Sequence, residues 1–220
     1  MNLSLQKLID EGEHQMQDFK YCINDSKKIA KSLVAFANTN GGRLLIGVKD
    51  NGKIAGISTD EEFYMVESAA KIFSKPPIPF TTKQWVSDDK IVLEISVRPG
   101  LKKPHYALDE SGKWLAYTRI NDENVLAHTI QILVWKKQNS PLGIYFSYTV
   151  AEKFLIDYLS KNSKISLSGF IRLSHISRKK AEDILSNFVV MNIIKINNSR
   201  EKTDFSLNSE FDLATLGDLQ

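Results

Sequence analysis

Residues 35–57 constrain the fold of this chain more than any other stretch, because they fix where a helix ends and how the next strands are connected. Apolar residues at i, i+4, i+7 and i+8 from Ile29 predict a helix that starts near Asn24, Asp25 or Ser26. The two glycines after Asn40 favour a tight reversal with positive φ, which ends that helix. The apolar residues 44–48 then predict a strand covered on both faces.

The remaining pattern of the first half mixes helices with hairpins. Asn51-Gly52 predicts a type I′ turn, because both central positions of that turn need positive φ, and a return strand over residues 53–57. We expect a short helix over residues 3–9, strands at 16–21, 80–86, 91–97 and 114–120, and helices at 60–73 and from Asn121 to about Lys137. Together these elements predict an α+β domain with a mixed sheet over residues 1–138.

The order and spacing of several short motifs in residues 8–130 resemble the Schlafen AlbA-type domain, also called the divergent AAA-4 domain. The matching residues are Glu13, Asp18-Phe19-Lys20, Ala35-Phe36-Ala37-Asn38-Thr39, Gly41-Gly42, Ile46-Gly47-Val48, Asp50, Gly52, Gly56, Lys103-Pro104-His105-Tyr106, Tyr117 and Arg119. The resemblance implies the fold of that family. It also implies a function with nucleic acids or nucleotides, since the family includes DNA-binding regulators, nucleotide-binding proteins and RNA-cleaving members.

RNA-cleaving members use three acidic residues, and the resemblance places them here at Glu13, Asp18 and Asp50. Such acids would hold Mg²⁺ or Mn²⁺, which activates water for attack on the phosphate. Asp18 departs from the family pattern, because the nucleases carry a longer glutamate at that position. The alternative is that Glu13 is a surface charge, that Asp18 pairs with Lys20, and that Asp50 starts a turn.

The glycine turn offers a second hypothesis. Asn38, Thr39, Gly41 and Gly42 are candidates for a turn whose backbone N–H groups contact a phosphate. However, the chain contains no Gly-x4-Gly-Lys-Ser/Thr motif, so a tight ATP site is not expected. We expect no cofactor unless the protein is a metal-dependent ribonuclease.

After a loop near residues 138–147, the pattern changes to three helices at 150–159, 166–173 and 177–190, followed by strands at 193–196 and 205–207. This order resembles a winged helix over residues 148–208, in which the third helix enters the major groove of DNA and the hairpin meets the backbone. Residues 209–220 form an acidic tail. A winged helix that only mediates protein contacts, such as those of a homodimer, is the alternative.

Charge favours a nucleic-acid partner, either DNA or RNA. Residues 164–202 contain eight Lys and Arg residues against three acids, and clustered cations neutralise phosphates. For base reading Arg178 is favoured, because its guanidinium can contact guanine through two donors. The candidate contact residues are Lys20, Arg43, Lys102, Lys103, Arg119, Arg178, Lys179, Lys180, Lys195, Arg200 and Lys202, with Lys27, Lys28 and Lys31 as further members of a basic surface.

Composition sets the broad class. Of the 220 residues, 42% are hydrophobic and 25% are charged, as in soluble globular proteins. The chain has no apolar run of about 18 residues, so no membrane segment is expected. Its single cysteine, Cys22, favours a reducing cytoplasm. These observations together predict a DNA-binding transcriptional regulator without catalysis, with the ribonuclease, ATP-binding and protein-interaction hypotheses as alternatives.

Overall fold

The computed structural model describes residues 3–57, 60–144 and 147–211. These residues form two compact units, the first ending at Ala127 and the second beginning at His128. The helices are α1 (Leu3–Asp10), α2 (Ser26–Asn38), α3 (Glu61–Lys71), α4 (Thr129–Gln138), α5 (Val150–Lys161), α6 (Leu167–Ser174) and α7 (Arg178–Val190). The strands are β1 (Gln17–Lys20), β2 (Gly42–Ile46), β3 (Ser74–Lys75), β4 (Phe80–Ser87), β5 (Lys90–Val97), β6 (Tyr106–Leu108), β7 (Trp114–Leu115), β8 (Tyr117–Ile120), β9 (Glu123–Leu126), β10 (Ile194–Asn198) and β11 (Thr203–Leu207).

A four-stranded sheet with the order β1-β2-β5-β4 organises the first unit. Strands β1 and β2 are parallel, whereas β5 is antiparallel to both β2 and β4. Side chains alternate between the two faces, so Leu44 and Ile46 pack with α2 and α3 while Leu45 packs with α1. This mixed sheet confirms the predicted α+β class. Two small sheets, β3-β6-β7 and β8-β9, complete the unit.

The helix that enters the glycine turn forms as the sequence predicts. Its N-cap is Asp25, whose carboxylate accepts a hydrogen bond from the N–H of Lys27 at 2.8 Å. The helix ends at Asn38, and Gly41 follows with a φ of +76°. Strand β2 then begins at Gly42.

Two local predictions were wrong because of turn geometry. At Asn51-Gly52 only Gly52 has positive φ, and residues 53–57 contribute isolated bridges from Ile54 and Ile57 rather than a strand. The two-residue turn with positive φ at both positions occurs instead at Asp88-Asp89, between β4 and β5. The predicted strand over 114–120 is interrupted at Ala116.

The segment after Asn121 was predicted as a helix, but its first part is strand β9, which pairs with β8. Asn121 has a φ of +55°, which reverses the chain and prevents a helix from starting there. The helix α4 starts only at Thr129, where the imidazole Nδ1 of His128 accepts a hydrogen bond from the N–H of Ile130. Local composition did not distinguish this short strand from the first turn of a helix.

The second unit contains α4, the three helices α5, α6 and α7, and the antiparallel hairpin β10–β11. Ile130 and Val134 of α4 lie in one hydrophobic core with Ile184 and Leu185 of α7. Helix α4 therefore belongs to this unit, whereas the sequence placed it in the first domain, up to residue 138. Residues 212–220 of the acidic tail lie outside the described residues.

The described segments contain no helix that combines the length and the apolar character needed to cross a lipid bilayer.

Candidate nucleic-acid interface

Strand β1 is an edge strand whose outward backbone groups are all hydrogen-bonded locally. Gln17 exchanges hydrogen bonds with His14, at 3.1 and 3.0 Å. The Glu13 carboxylate accepts from the N–H of Phe19 at 2.8 Å, and the Lys20 ammonium donates to the carbonyl of Phe19 at 2.7 Å. Two residues predicted for function, Glu13 and Lys20, therefore stabilise the sheet edge in this structure.

Glu13 and Asp18 form a coupled carboxyl pair beside this edge. Burial, followed by the hydrogen bond with Asp18, raises the pKa of Glu13. Burial also acts to raise the pKa of Asp18, but the hydrogen bond from Glu13 and the charges of Lys20 and Arg119 outweigh it, so the pKa of Asp18 is lowered. The pKa of Asp18 therefore lies below that of Glu13. The Asp18 oxygens lie 3.0 Å from Lys20, 3.3 Å from the Ser32 hydroxyl and 3.5 Å from Arg119.

The third predicted acid, Asp50, is exposed in the turn after β2. Among the residues that the structure describes, no group of three or more His, Cys, Asp or Glu side chains is arranged to hold a metal ion. Glu13 and Asp18 therefore come together, but Asp50 does not complete a metal-binding trio with them.

Arg119 is buried, with 1% of its side chain exposed. Its guanidinium donates to the carbonyl of Gln17 at 3.0 Å and to the side chain of Asn124 at 3.0 Å, and it lies 5.2 Å from the centre of the Phe36 ring. The prediction that Arg119 contacts nucleic acid conflicts with this position, because a buried guanidinium that joins β8 to β1 cannot reach a phosphate in solution.

The glycine turn also has a structural role here. The N–H groups of Thr39 and Gly41 both donate to the carbonyl of Phe36, which closes α2, so they are not free for a phosphate. A Cβ on Gly41 would lie 2.7 Å from the carbonyl oxygen of Val97, and one on Gly42 would lie 2.5 Å from the Phe36 ring. The glycines are needed where the helix end packs against neighbouring backbone and side chains.

The other predicted cations of the first unit differ in exposure. Lys102 is exposed and Arg43 is half-buried. Lys103 is half-buried; burial lowers its pKa, and its ammonium donates to the carbonyl of Thr39 at 3.0 Å. On this unit only Lys102 of these three is a fully exposed candidate for phosphate contact.

In the second unit, α4 covers much of α7. Lys137 of α4 forms an ion pair with Asp183 at 2.6 Å, and Ser186 and Asn187 are buried. Exposed cations of α7 lie in its first turn, where Arg178 bonds to Glu182 at 2.8 Å and Lys180 lies 3.5 Å from Glu152. Because of this cover, the major-groove contact predicted for this helix is limited to its first turn.

Exposed cations remain on the first turn of α7 and on the β10–β11 hairpin. Lys179 and Lys195 are exposed, as is Arg200 in the turn between the strands. The Lys202 side chain is 72% exposed and lies 4.0 Å from Asp204. Together with Arg178, these four residues are the predicted contacts of this unit that are exposed.

A cleft in the first unit was not predicted as a site. Lys27, Lys28 and Lys31 of α2 line it together with Asp109 and Tyr117. The three lysines were candidates from their charge, but Asp109 and Tyr117 carry no local signal, because strand pairing after residue 105 brings them to α2.

The solved structures that match the chain include two of low sequence identity. The DIP2311 protein from Corynebacterium diphtheriae is 18% identical with a TM-score of 0.44, over 66% of this chain and 35% of that one. The N-terminal domain of a RecG-related protein from Nitrosomonas europaea is 21% identical with a TM-score of 0.42, over 57% of this chain and 94% of that domain. The chain thus spans about a third of the first of these proteins.

No curated protein is significantly similar to the chain. The family model for Schlafen, AlbA_2 matches residues 13–128, which is more than half of the chain and nearly the whole of the first unit. The motif residues at the end of α2, in β1 and in β8 all lie within the matched region. The chain belongs to the Schlafen AlbA_2 family.

Proposed function

We propose that the protein binds nucleic acid, DNA or RNA, by contacts from exposed cations of its second unit to backbone phosphates, without catalysis. The observation that carries this proposal is the accessibility of Lys179, Lys195, Arg200 and Lys202 on the first turn of α7 and the β10–β11 hairpin. Membership in the Schlafen AlbA_2 family supports a function related to nucleic acids.

Because α4 covers much of α7, few side chains of α7 can contact DNA bases. A helix that reads bases must place its side chains in the major groove. Here Asp183 and Asn187 face α4 through Lys137, so only Arg178 and Lys179 at the helix start are well placed for DNA. The hairpin then supplies most of the binding free energy through phosphates, which gives affinity with little sequence selectivity.

A DNA-binding transcriptional regulator with a winged helix is the finer form of this proposal. The order α5, α6, α7 and β10–β11 supports it, since it is the order of elements in a winged helix. Base reading by Arg178 would require its guanidinium to leave Glu182, which it contacts at 2.8 Å. Recognition of one DNA sequence would therefore depend on that exchange of partners.

The proposal is tested by measuring binding to a duplex of mixed sequence over a range of salt concentrations. The variant Lys195→Gln/Arg200→Gln/Lys202→Gln removes three charges from the hairpin. If all three contact phosphates, the slope of log K against log salt becomes shallower by about 2.7, that is, about 0.9 for each lost contact. The variant Lys7→Gln/Lys53→Gln/Lys113→Gln removes three exposed charges from the first unit and is expected to keep the slope. Equal slopes for the hairpin variant and the unchanged protein would contradict the proposal.

A metal-dependent ribonuclease is the second candidate. It is favoured by the proximity of Glu13 and Asp18, whose pKa values move in opposite directions, an arrangement often seen at functional sites. Its test is incubation of structured RNA with Mg²⁺ or Mn²⁺, using Glu13→Gln and Asp18→Asn as variants. Cleavage that both variants abolish would establish the nuclease. An absence of cleavage by the unchanged protein would remove it.

A further inference from the structure

The cleft between α2 and strand β6, here called the α2–β6 cleft, has a volume of about 430 Å³. Lys27, Lys28 and Lys31 line one side, and Leu108, Asp109 and Tyr117 line the other. Pockets for small ligands usually measure about 300–1,000 Å³. The cleft is therefore large enough for one nucleotide but too small for a duplex.

The three lysines present positive charge to the cleft without direct ion pairs. Within residues 3–57, 60–144 and 147–211, none of them lies within 4 Å of a carboxylate. Lys31 lies 4.9 Å from the centre of the Tyr117 ring, and Lys27 lies 6.0 Å from that of Phe73. Aromatic rings hold these two ammonium groups in place without cancelling their charge.

The opposite side of the cleft is organised by a turn. The Asp109 carboxylate accepts from the N–H of Lys113 at 2.7 Å and from the Ser111 hydroxyl at 2.8 Å. The backbone hydrogen bond from Lys113 is the largest cause of a lowered pKa for Asp109, which keeps this carboxylate ionised at neutral pH. Burial raises the pKa of Tyr117, so its phenol keeps its proton and can donate a hydrogen bond.

We propose that the α2–β6 cleft binds a terminal phosphate group, carried by a free mononucleotide or by the 5′ end of a nucleic-acid strand. Three ammonium groups and one phenol supply the donors that the oxygens of a phosphomonoester accept. Asp109 and Glu110 add two negative charges to the three positive ones. A phosphate with one or two negative charges suits this balance better than a triphosphate, so AMP is expected to bind more tightly than ATP.

The test compares a single-stranded ten-nucleotide DNA with a 5′-phosphate and the same strand with a 5′-hydroxyl. AMP and inorganic phosphate serve as competitors. We expect at least one of two tenfold differences. The 5′-phosphorylated strand binds more tightly than the 5′-hydroxyl strand, or AMP binds more tightly than adenosine, or both. The variant Lys28→Gln/Lys31→Gln is expected to abolish the difference, whereas Lys7→Gln/Lys53→Gln, which removes two exposed charges elsewhere, keeps it.

The competitors distinguish the two possible ligands, a free mononucleotide and the 5′ end of a strand. Binding of AMP without a preference for the phosphorylated strand identifies a free nucleotide as the ligand, and the reverse result identifies a strand end. Equal binding of both strands, with no binding of AMP or phosphate, overturns the inference. Internal phosphates bound by the hairpin are present in both strands, so loss of hairpin binding leaves the difference between the two ends unchanged.

Discussion

The side chain of Asn38 exchanges two hydrogen bonds with the backbone of His105. Its amide donates to the carbonyl of His105 at 2.9 Å, and its oxygen accepts from the N–H of His105 at 2.8 Å. The same amide donates to the carbonyl of Tyr117 at 2.9 Å. One motif residue at the end of α2 thus joins the segments that begin β6 and β8.

Replacement of Asn38 by alanine is expected to lower the free energy of unfolding by at least about 3 kcal/mol, because three backbone groups, two of them buried, lose their partner and each costs about 1–3 kcal/mol. Asn38 is 2% exposed, so water cannot replace the lost bonds without entering the core. Chemical denaturation measures the change. Asn40→Ala, at an exposed position two residues later, is the control and is expected to change stability little.

Replacement of Gly41 by alanine separates packing from backbone strain when it is compared with Gly112→Ala. Both glycines have similar φ values, +76° and +81°, so both variants carry a backbone cost of about 1–2 kcal/mol. Only at Gly41 does the new methyl group meet Val97 and Pro99, at 2.7 and 2.8 Å. We expect Gly41→Ala to cost at least about 1 kcal/mol more, by thermal or chemical unfolding. Equal losses of stability in the two variants would show that the backbone at Gly41 can move away from Val97 and Pro99 without a further loss of stability.

The Glu13–Asp18 pair makes stability depend on pH in two directions. The pKa of Glu13 is raised in the folded state, so its contribution is present below its unfolded pKa of about 4.3 and is lost as pH rises through the folded value. The pKa of Asp18 is lowered, so its contribution is present above about 3.9 and is lost as pH falls through its folded value.

Glu13→Gln keeps an oxygen for the N–H of Phe19 and a donor for Asp18, and it does not ionise. The stability of this variant relative to the unchanged protein is therefore expected to rise between pH 4 and pH 7.5, as measured by denaturation at both values. Glu110→Gln, at an exposed position, is the control. A pH-independent difference for Glu13→Gln would show that the pKa of Glu13 is not raised in the folded state.

The place of α4 in the second unit predicts which fragments fold. A fragment of residues 128–220 retains Ile130 and Val134 in the core with α7 and is expected to unfold cooperatively. A fragment of residues 139–220 lacks them, exposes Ile184 and Leu185, and is expected to lose several kcal/mol. Circular dichroism during thermal unfolding distinguishes the two. Equal melting temperatures would mean that α4 adds nothing to this core.

Sequence patterns predicted the elements whose signals are local. The helix from Asp25, the buried strand after Gly42, the hairpin strands β4 and β5, and the helices α5, α6 and α7 all follow from periodicity, caps and turn residues. The strand at Glu123 was missed because its four residues carry no alternation strong enough to exclude a helix. Its structure is set by pairing with β8, which is a long-range interaction.

The candidate sites were harder to predict than the fold, because residue type alone does not determine whether a side chain is buried or exposed. Arg119 and Lys102 are both cations in the sequence, yet one is buried against Phe36 and the other is exposed. Similarly, a first strand beside the strand after Gly42 would let Glu13, Asp18 and Asp50 converge, but the exposed position of Asp50 depends on the turn that follows β2.

The hydrogen bonds along β1 limit how copies of this protein can associate through their sheets. Glu13, Lys20 and Arg119 occupy the outward groups of β1, so a foreign strand finds no free partner there. Among the described strands, β4 ends the sheet on the other side with eight residues that have no further neighbour. Among the described residues, an added strand would therefore find unpaired backbone groups at β4 and not at β1.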